Sequence, residues 1–151
     1  MWPRVSAVPL LAFERRWLSA VFDTLIPAGT EGGLALGARD VPLDGFVDEL
    51  ERFAPSRVLW GLRLTLWVLS LCPLFVIGRF RTFVGLDTEE RLAVLAKLRE
   101  SDVYLVREIP LFFKMVGCLG FCGLPEVQTA LGAPPRDPSP PSWVKTGDSQ
   151  P

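Results

Sequence analysis

Residues 58–78 read VLWGLRLTLWVLSLCPLFVIG, and the reading of this run decides the fold. It holds one charge, Arg63, and two hydroxyls, Thr65 and Ser70. A spanning helix needs about 20 apolar residues, so the run is long enough to cross a bilayer. A helix enclosed by protein on all sides has the same composition. The flanks sharpen the choice. From Arg52 to Leu86 there are five arginines, at 52, 57, 63, 79 and 81, with no lysine and no acid. They stand on both sides of the run, which leaves no positive-inside bias to orient a span. From Ser56 onward, Ser56, Arg63 and Ser70 fall at heptad spacing and can share a narrow polar stripe, with Arg52 preceding them. Trp60, Leu64, Trp67 and Leu71 follow another face. Pro73 predicts a kink or an end near Cys72. The run reads as a central helix of a helical domain, with excess apolar surface for a partner or a membrane face to cover.

Upstream, the pattern predicts a helix over Leu10–Ile26 with Phe13, Trp17, Val21 and Leu25 as its apolar positions. Pro27-Ala-Gly29 stops it. Residues 30–40 (TEGGLALGARD) form a glycine-rich loop. No strand precedes it, and neither a Gly-x-Gly-x-x-Gly nor a Gly-Lys-Ser/Thr follows, so it is not a phosphate cradle. A second helix is expected over Pro42–Phe53, with Phe46, Val47, Leu50 and Phe53 opposite an acidic, solvated face.

Downstream of the apolar run, Asp87 and Glu90 have the spacing of a capping box. They open a helix over Thr88–Glu100 whose apolar stripe is Leu92, Leu95, Ala96 and Leu98. The next helix starts near Ser101 or Asp102 and continues to about Phe121, bent at Pro110. Glycine in a helix costs about 1 kcal/mol relative to alanine, so Gly117, Gly120 and Gly123 predict fraying at its end. A short last helix, Pro125–Leu131, is closed by Gly132. Residues 133–151 hold six prolines in 19 positions. They read as a disordered tail in which Trp143 is the one large apolar residue. The expected architecture is all-α: one compact domain of five to six helices over residues 1–132, then a disordered Pro-rich tail.

Composition narrows the chemistry. The 151 residues carry a net charge of −1, which gives no reason to expect nucleic acid. Histidine is absent from the sequence. That removes Ser-His-Asp and Cys-His nucleophile pairs and imidazole metal sites. Cys72, Cys118 and Cys122 are too few and too apolar in setting for a disulfide framework. The C-x₃-C pair lacks the further ligands of a zinc or iron–sulfur site, and buried free thiols are the simpler reading. Glu14-Arg15-Arg16-Trp17-Leu18 superficially resembles a twin-arginine export motif, but Asp23 and Pro27 suit a structural helix better. The expected location is therefore the bacterial cytoplasm or the inner-membrane periphery rather than the periplasm. No catalytic, cofactor-binding or metal-binding residue is assigned.

Several segments together carry a family likeness. They are Val21-Phe-Asp-Thr-Leu-Ile-Pro-Ala-Gly29, then Gly37-Ala-Arg-Asp40 leading into Phe46-Val-Asp48. Gly78-Arg-Phe-Arg-Thr-Phe83 and Leu86-Asp-Thr-Glu-Glu-Arg91 follow, with Leu95 and Ser101. Lys114, Gly123-Leu-Pro-Glu-Val127 and Leu131-Gly132 complete the order. Over roughly residues 13–132 this order resembles the gluconate 2-dehydrogenase subunit 3 family. It is also similar to the helical N-terminal region of long-chain fatty alcohol oxidases. The resemblance implies a small non-catalytic helical subunit. Its partner would be a large flavoprotein of the glucose–methanol–choline class, which carries the FAD and oxidises an alcohol. A cytochrome subunit accompanies some such complexes. No cofactor is expected on this chain.

Aromatic and arginine residues dominate interface energetics, which makes Trp60, Arg63, Trp67, Phe75, Phe80 and Phe83 the candidate partner anchors. Each aromatic has a plainer alternative, which is to fill this domain's own core. The alternative for the chain as a whole is a small membrane protein, with helix 58–78 spanning the bilayer or lying in its interface.

Overall fold

The computed structural model describes residues 9–29, 35–78 and 80–134. Among these residues there is no strand, and the fold is all-α as expected. The helices are α1 (Ala12–Leu25), α2 (Asp44–Phe53), α3 (Ser56–Leu71), α4 (Pro73–Val76), α5 (Thr88–Arg99), α6 (Tyr104–Gly123) and α7 (Pro125–Ala130). Two 3-10 turns, Ala38–Asp40 and Phe83–Gly85, separate them. The expected tail lies outside the described residues from 135 onward, as do residues 30–34 of the glycine-rich loop and the first eight residues.

The hub is α1, which packs against α3, α5, α6 and both 3-10 turns. Its buried residues are Glu14, Leu18, Ala20, Val21, Phe22 and Thr24. Of the expected apolar positions Val21 is fully buried, Trp17 and Leu25 are partly covered and Phe13 is exposed; the inward face is centred instead on Leu18, Val21 and Phe22. In keeping with the excess apolar surface expected of it, α3 packs on α1 and the 83–85 turn and, among the described residues, has an outer side left uncovered. After α1 the chain returns beside it through the Ala38 N–H, which donates to the Ile26 carbonyl at 2.9 Å. Gly37 is required there, since any Cβ would overlap the Ala28 backbone.

As expected, α3 ends next to Cys72, at Leu71, and Pro73 opens the short α4. Cys72 between them keeps helical angles. Proline removes the N–H that would reach the Leu69 carbonyl. The Cys72 thiol takes its place, with Sγ donating to that carbonyl at 3.1 Å. Burial pushes this thiol up to about 12, so it keeps the proton it donates.

The capping box forms as read. The Glu90 N–H donates to Asp87 Oδ1 at 2.8 Å, and the Asp87 N–H to Glu90 Oε2 at 3.3 Å. Arg91 reaches back to donate to the Phe83 and Val84 carbonyls and holds the 83–85 turn on α5. The inward stripe of α5 is Val94, Leu95 and Leu98. Leu92 and Ala96, expected inside, are exposed.

α6 shows the largest departure from expectation. It runs unbroken for 20 residues through Pro110, Gly117 and Gly120. Both of those glycines are buried, because they admit neighbours that a side chain would exclude. A Cβ on Gly117 would lie 2.8 Å from the Phe22 ring, and one on Gly120 would overlap the Phe46 ring. Aromatic packing from α1 and α2 outweighs the propensity cost that predicted fraying. Finally, α7 turns back so that Val127 packs with Val41 and Phe121 in a small second core.

Candidate functional site

Two polar and apolar systems meet at α3. The inner one centres on Glu14, in the first turn of α1. Its carboxylate is 1 % exposed. Arg63 grips it in a fork, Nε to Oε1 at 2.8 Å and an Nη to Oε2 at 2.6 Å. The Trp67 indole N–H adds a bond to Oε1 at 2.8 Å, and the Leu11 N–H one to Oε2 at 2.7 Å. Leu11 has no side-chain acceptor to cap α1, so Glu14 supplies half of a capping box from the third helical position. Burial by itself raises the Glu14 carboxyl. The hydrogen bonds from Arg63, Leu11 and Trp67, with the Arg63 charge, outweigh it and hold the group at about 2.

The network extends outward from this pair. Arg63 also donates to the Pro9 carbonyl at 2.9 Å, and the Leu10 N–H donates to Glu51 at 2.9 Å. Arg15 bridges to Asp48 and Glu51 of α2. The rings of Phe13, Trp17 and Trp67 pack edge to face above it, with centroids 5.1–5.8 Å apart. Of the polar stripe read from spacing, Arg63 and Ser70 turn inward, and Ser56 is partly exposed. Ser70, at its far end, is fully buried, with no hydrogen-bond partner for Oγ among the described residues.

The outer system is the opposite side of the same helix. Val58, Leu64, Val68, Leu71, Leu74 and Phe75 are all exposed large hydrophobics. Leu64 is 68 % exposed and Phe75 85 %. Trp60 extends the strip at one end, and Phe80, 93 % exposed, lies beyond the other. Arg57 and Arg81 are exposed near the ends. Continuous with α4, the helix covers Ser56–Val76, 21 residues, and is apolar enough to cross a membrane by length and composition, with about a third of it buried.

The six candidate anchors therefore separate. Trp60, Trp67, Phe75 and Phe80 reach the outer surface. Arg63 is occupied inside by Glu14. Phe83 is a correction: it is fully buried, because the 83–85 turn inserts its ring between α1 and α3 and Arg91 holds it there. Spacing alone missed the roles of Glu14 and Arg91. A usable signal was present for Glu14, namely an acid at the third position of a helix whose cap residue cannot cap.

The three cysteines are free thiols, Cys72 buried, Cys118 partly buried and Cys122 exposed. Cys118 is raised by burial and by the nearby Cys122, against a lowering influence from Lys114. No group of three or more Cys, Asp or Glu side chains among the described residues is placed to hold a metal ion. What the site offers is an apolar contact surface on a helix locked from behind. No family model matches the sequence, and no curated protein or solved structure matches it either.

Proposed function

We propose that this chain is a non-catalytic small subunit that docks through the outer face of α3–α4 onto a large FAD-dependent alcohol dehydrogenase or oxidase. One observation carries the docking role: a strip of exposed apolar side chains on a helix whose opposite face is fixed by a buried ion pair. The ordered motifs resembling gluconate 2-dehydrogenase subunit 3 supply the partner's class. The subunit stabilises the flavoprotein and covers part of its substrate entrance, and FAD and the redox chemistry reside on the partner. Trp60, Trp67, Phe75 and Phe80 are the anchors at this interface.

Co-expression with a glucose–methanol–choline type flavoprotein tests this. A tag on this chain should recover a yellow complex, and Leu64→Asp with Phe75→Asp should release the flavoprotein while leaving the helical circular dichroism spectrum intact. A chain that purifies alone and colourless overturns the reading. A second reading rests on the arginines that flank an acid-free segment, residues 52–86. In it the same strip lies in the interface of an anionic membrane. Extraction only by detergent, and flotation with anionic vesicles, would favour it.

A further inference from the structure

A groove lies away from the α3 face, between the end of α1 and the α5–α6 pair. Its volume is about 700 Å³, within the range of roughly 300–1,000 Å³ that holds small ligands. Leu25, Leu95 and Pro110 line its covered part, and the exposed side chains of Leu92 and Leu111 form its walls. Three cations stand on the rim, Arg99, Arg107 and Lys114, against one acid, Glu108. Among the described residues none of the three cations is in an ion pair. Arg107 instead lies over the Tyr104 ring at 5.6 Å.

The cations have an order along the groove. Arg99 closes α5 and Arg107 belongs to the first turn of α6, so both stand at the α5–α6 turn. Leu111 and Lys114 follow Arg107 at i+4 and i+7 on the same helical side, and Lys114 is about 10 Å farther along the axis. The result is a cationic end, an apolar run, and a lysine whose alkyl stem can lie against it. A neutral apolar ligand would leave two guanidinium groups idle at the mouth. A carboxylate matches the planar fork of arginine and satisfies it.

We propose that this groove binds a long-chain carboxylate, with the alkyl chain along Leu25, Leu92, Leu95 and Leu111 and the head group on Arg99 and Arg107. The site is independent of the docking face, and it can be tested on the purified full-length chain whether or not that reading holds. Isothermal titration calorimetry with decanoate should show one saturable site, and decan-1-ol should bind at least tenfold more weakly. Arg99→Glu combined with Arg107→Glu should weaken decanoate tenfold or more, and so should Leu111→Asp. Leu64→Asp on α3 should leave the affinity unchanged. Circular dichroism of each variant confirms that the fold is retained. The proposal is overturned if decanoate does not saturate, if decan-1-ol binds as tightly, or if the double arginine variant binds like the parent. It is also overturned if sedimentation shows a concentration-dependent dimer that the arginine variant dissolves and decanoate does not, because a second copy of the chain would then be the occupant.

Discussion

The two sides of α3 are made from nearly the same residues and do opposite things. On the inner side Leu59, Leu62, Leu66 and Leu69 are buried against α1 and the 83–85 turn, around a charged pair whose hydrogen bonds are all directed. On the outer side Leu64, Val68, Leu71 and Phe75 face outward, and nothing among the described residues covers them. Composition treats the helix as uniform, yet the stabilisation it confers on the domain comes from its inner side alone. The rest is exposed among the described residues. The contrast shows that a span-length apolar helix can belong to a folded helical domain if one polar anchor decides which side turns inward.

The largest expected effect on this contrast comes from removing the anchor. Arg63→Met leaves the Glu14 carboxylate buried and unpaired and should cost roughly 3–5 kcal/mol. In a chain of this size that should lower the melting temperature by roughly 10 °C, measurable by differential scanning calorimetry. Pairing it with Glu14→Leu should recover much of the loss, because the uncompensated charge is then gone too. Next in size, Leu66→Ala on the inner side should cost about 2–5 kcal/mol in urea unfolding.

Acid should act on the same anchor. The Glu14 carboxyl is held at about 2 in the folded chain against an ordinary value near 4.5. A depressed carboxyl stabilises the fold above its ordinary value, and that stabilisation is lost as pH falls toward the folded value. Stability should therefore drop by about 3 kcal/mol between pH 5 and 2, followed by urea midpoints across that window. Away from α3, Gly120→Ala forces a methyl into the Phe46 ring and should cost roughly 1–3 kcal/mol in the same assay. Smallest of all, Leu64→Ala on the outer side should change stability by no more than about 0.5 kcal/mol. An equal loss from Leu64→Ala and Leu66→Ala would erase the distinction between the two sides.

Much of the helical layout was legible from local signals. The Asp87–Glu90 box, the Pro125 start and the Gly132 stop are short-range devices whose partners are three to seven residues away, and the structure contains them. What failed depends on distant partners. Gly117 and Gly120 break a helix in isolation, and only the rings of Phe22 and Phe46, nearly 100 and more than 70 residues earlier, make them the fitting choice. Phe83 looked like a surface anchor because nothing local reveals that Arg91 folds its turn inward. At the candidate site, helical spacing placed Trp60 and Leu64 on one face, and both are exposed. The engagement of Arg63 by Glu14 could not be read locally, since the two are 49 residues apart.

The Glu14 fork also has a bearing on registration. Leucines repeat along α3 so regularly that sliding the helix one turn past α1, about 5.4 Å, would exchange one leucine contact for another at little loss. The carboxylate breaks that degeneracy. Its four donors come from Leu11, Arg63 and Trp67, and they converge on it in a single alignment of the two helices. Misaligned packings would strand a charge in an apolar seam, so one carboxylate selects among arrangements that the hydrocarbon alone would leave nearly equal in energy.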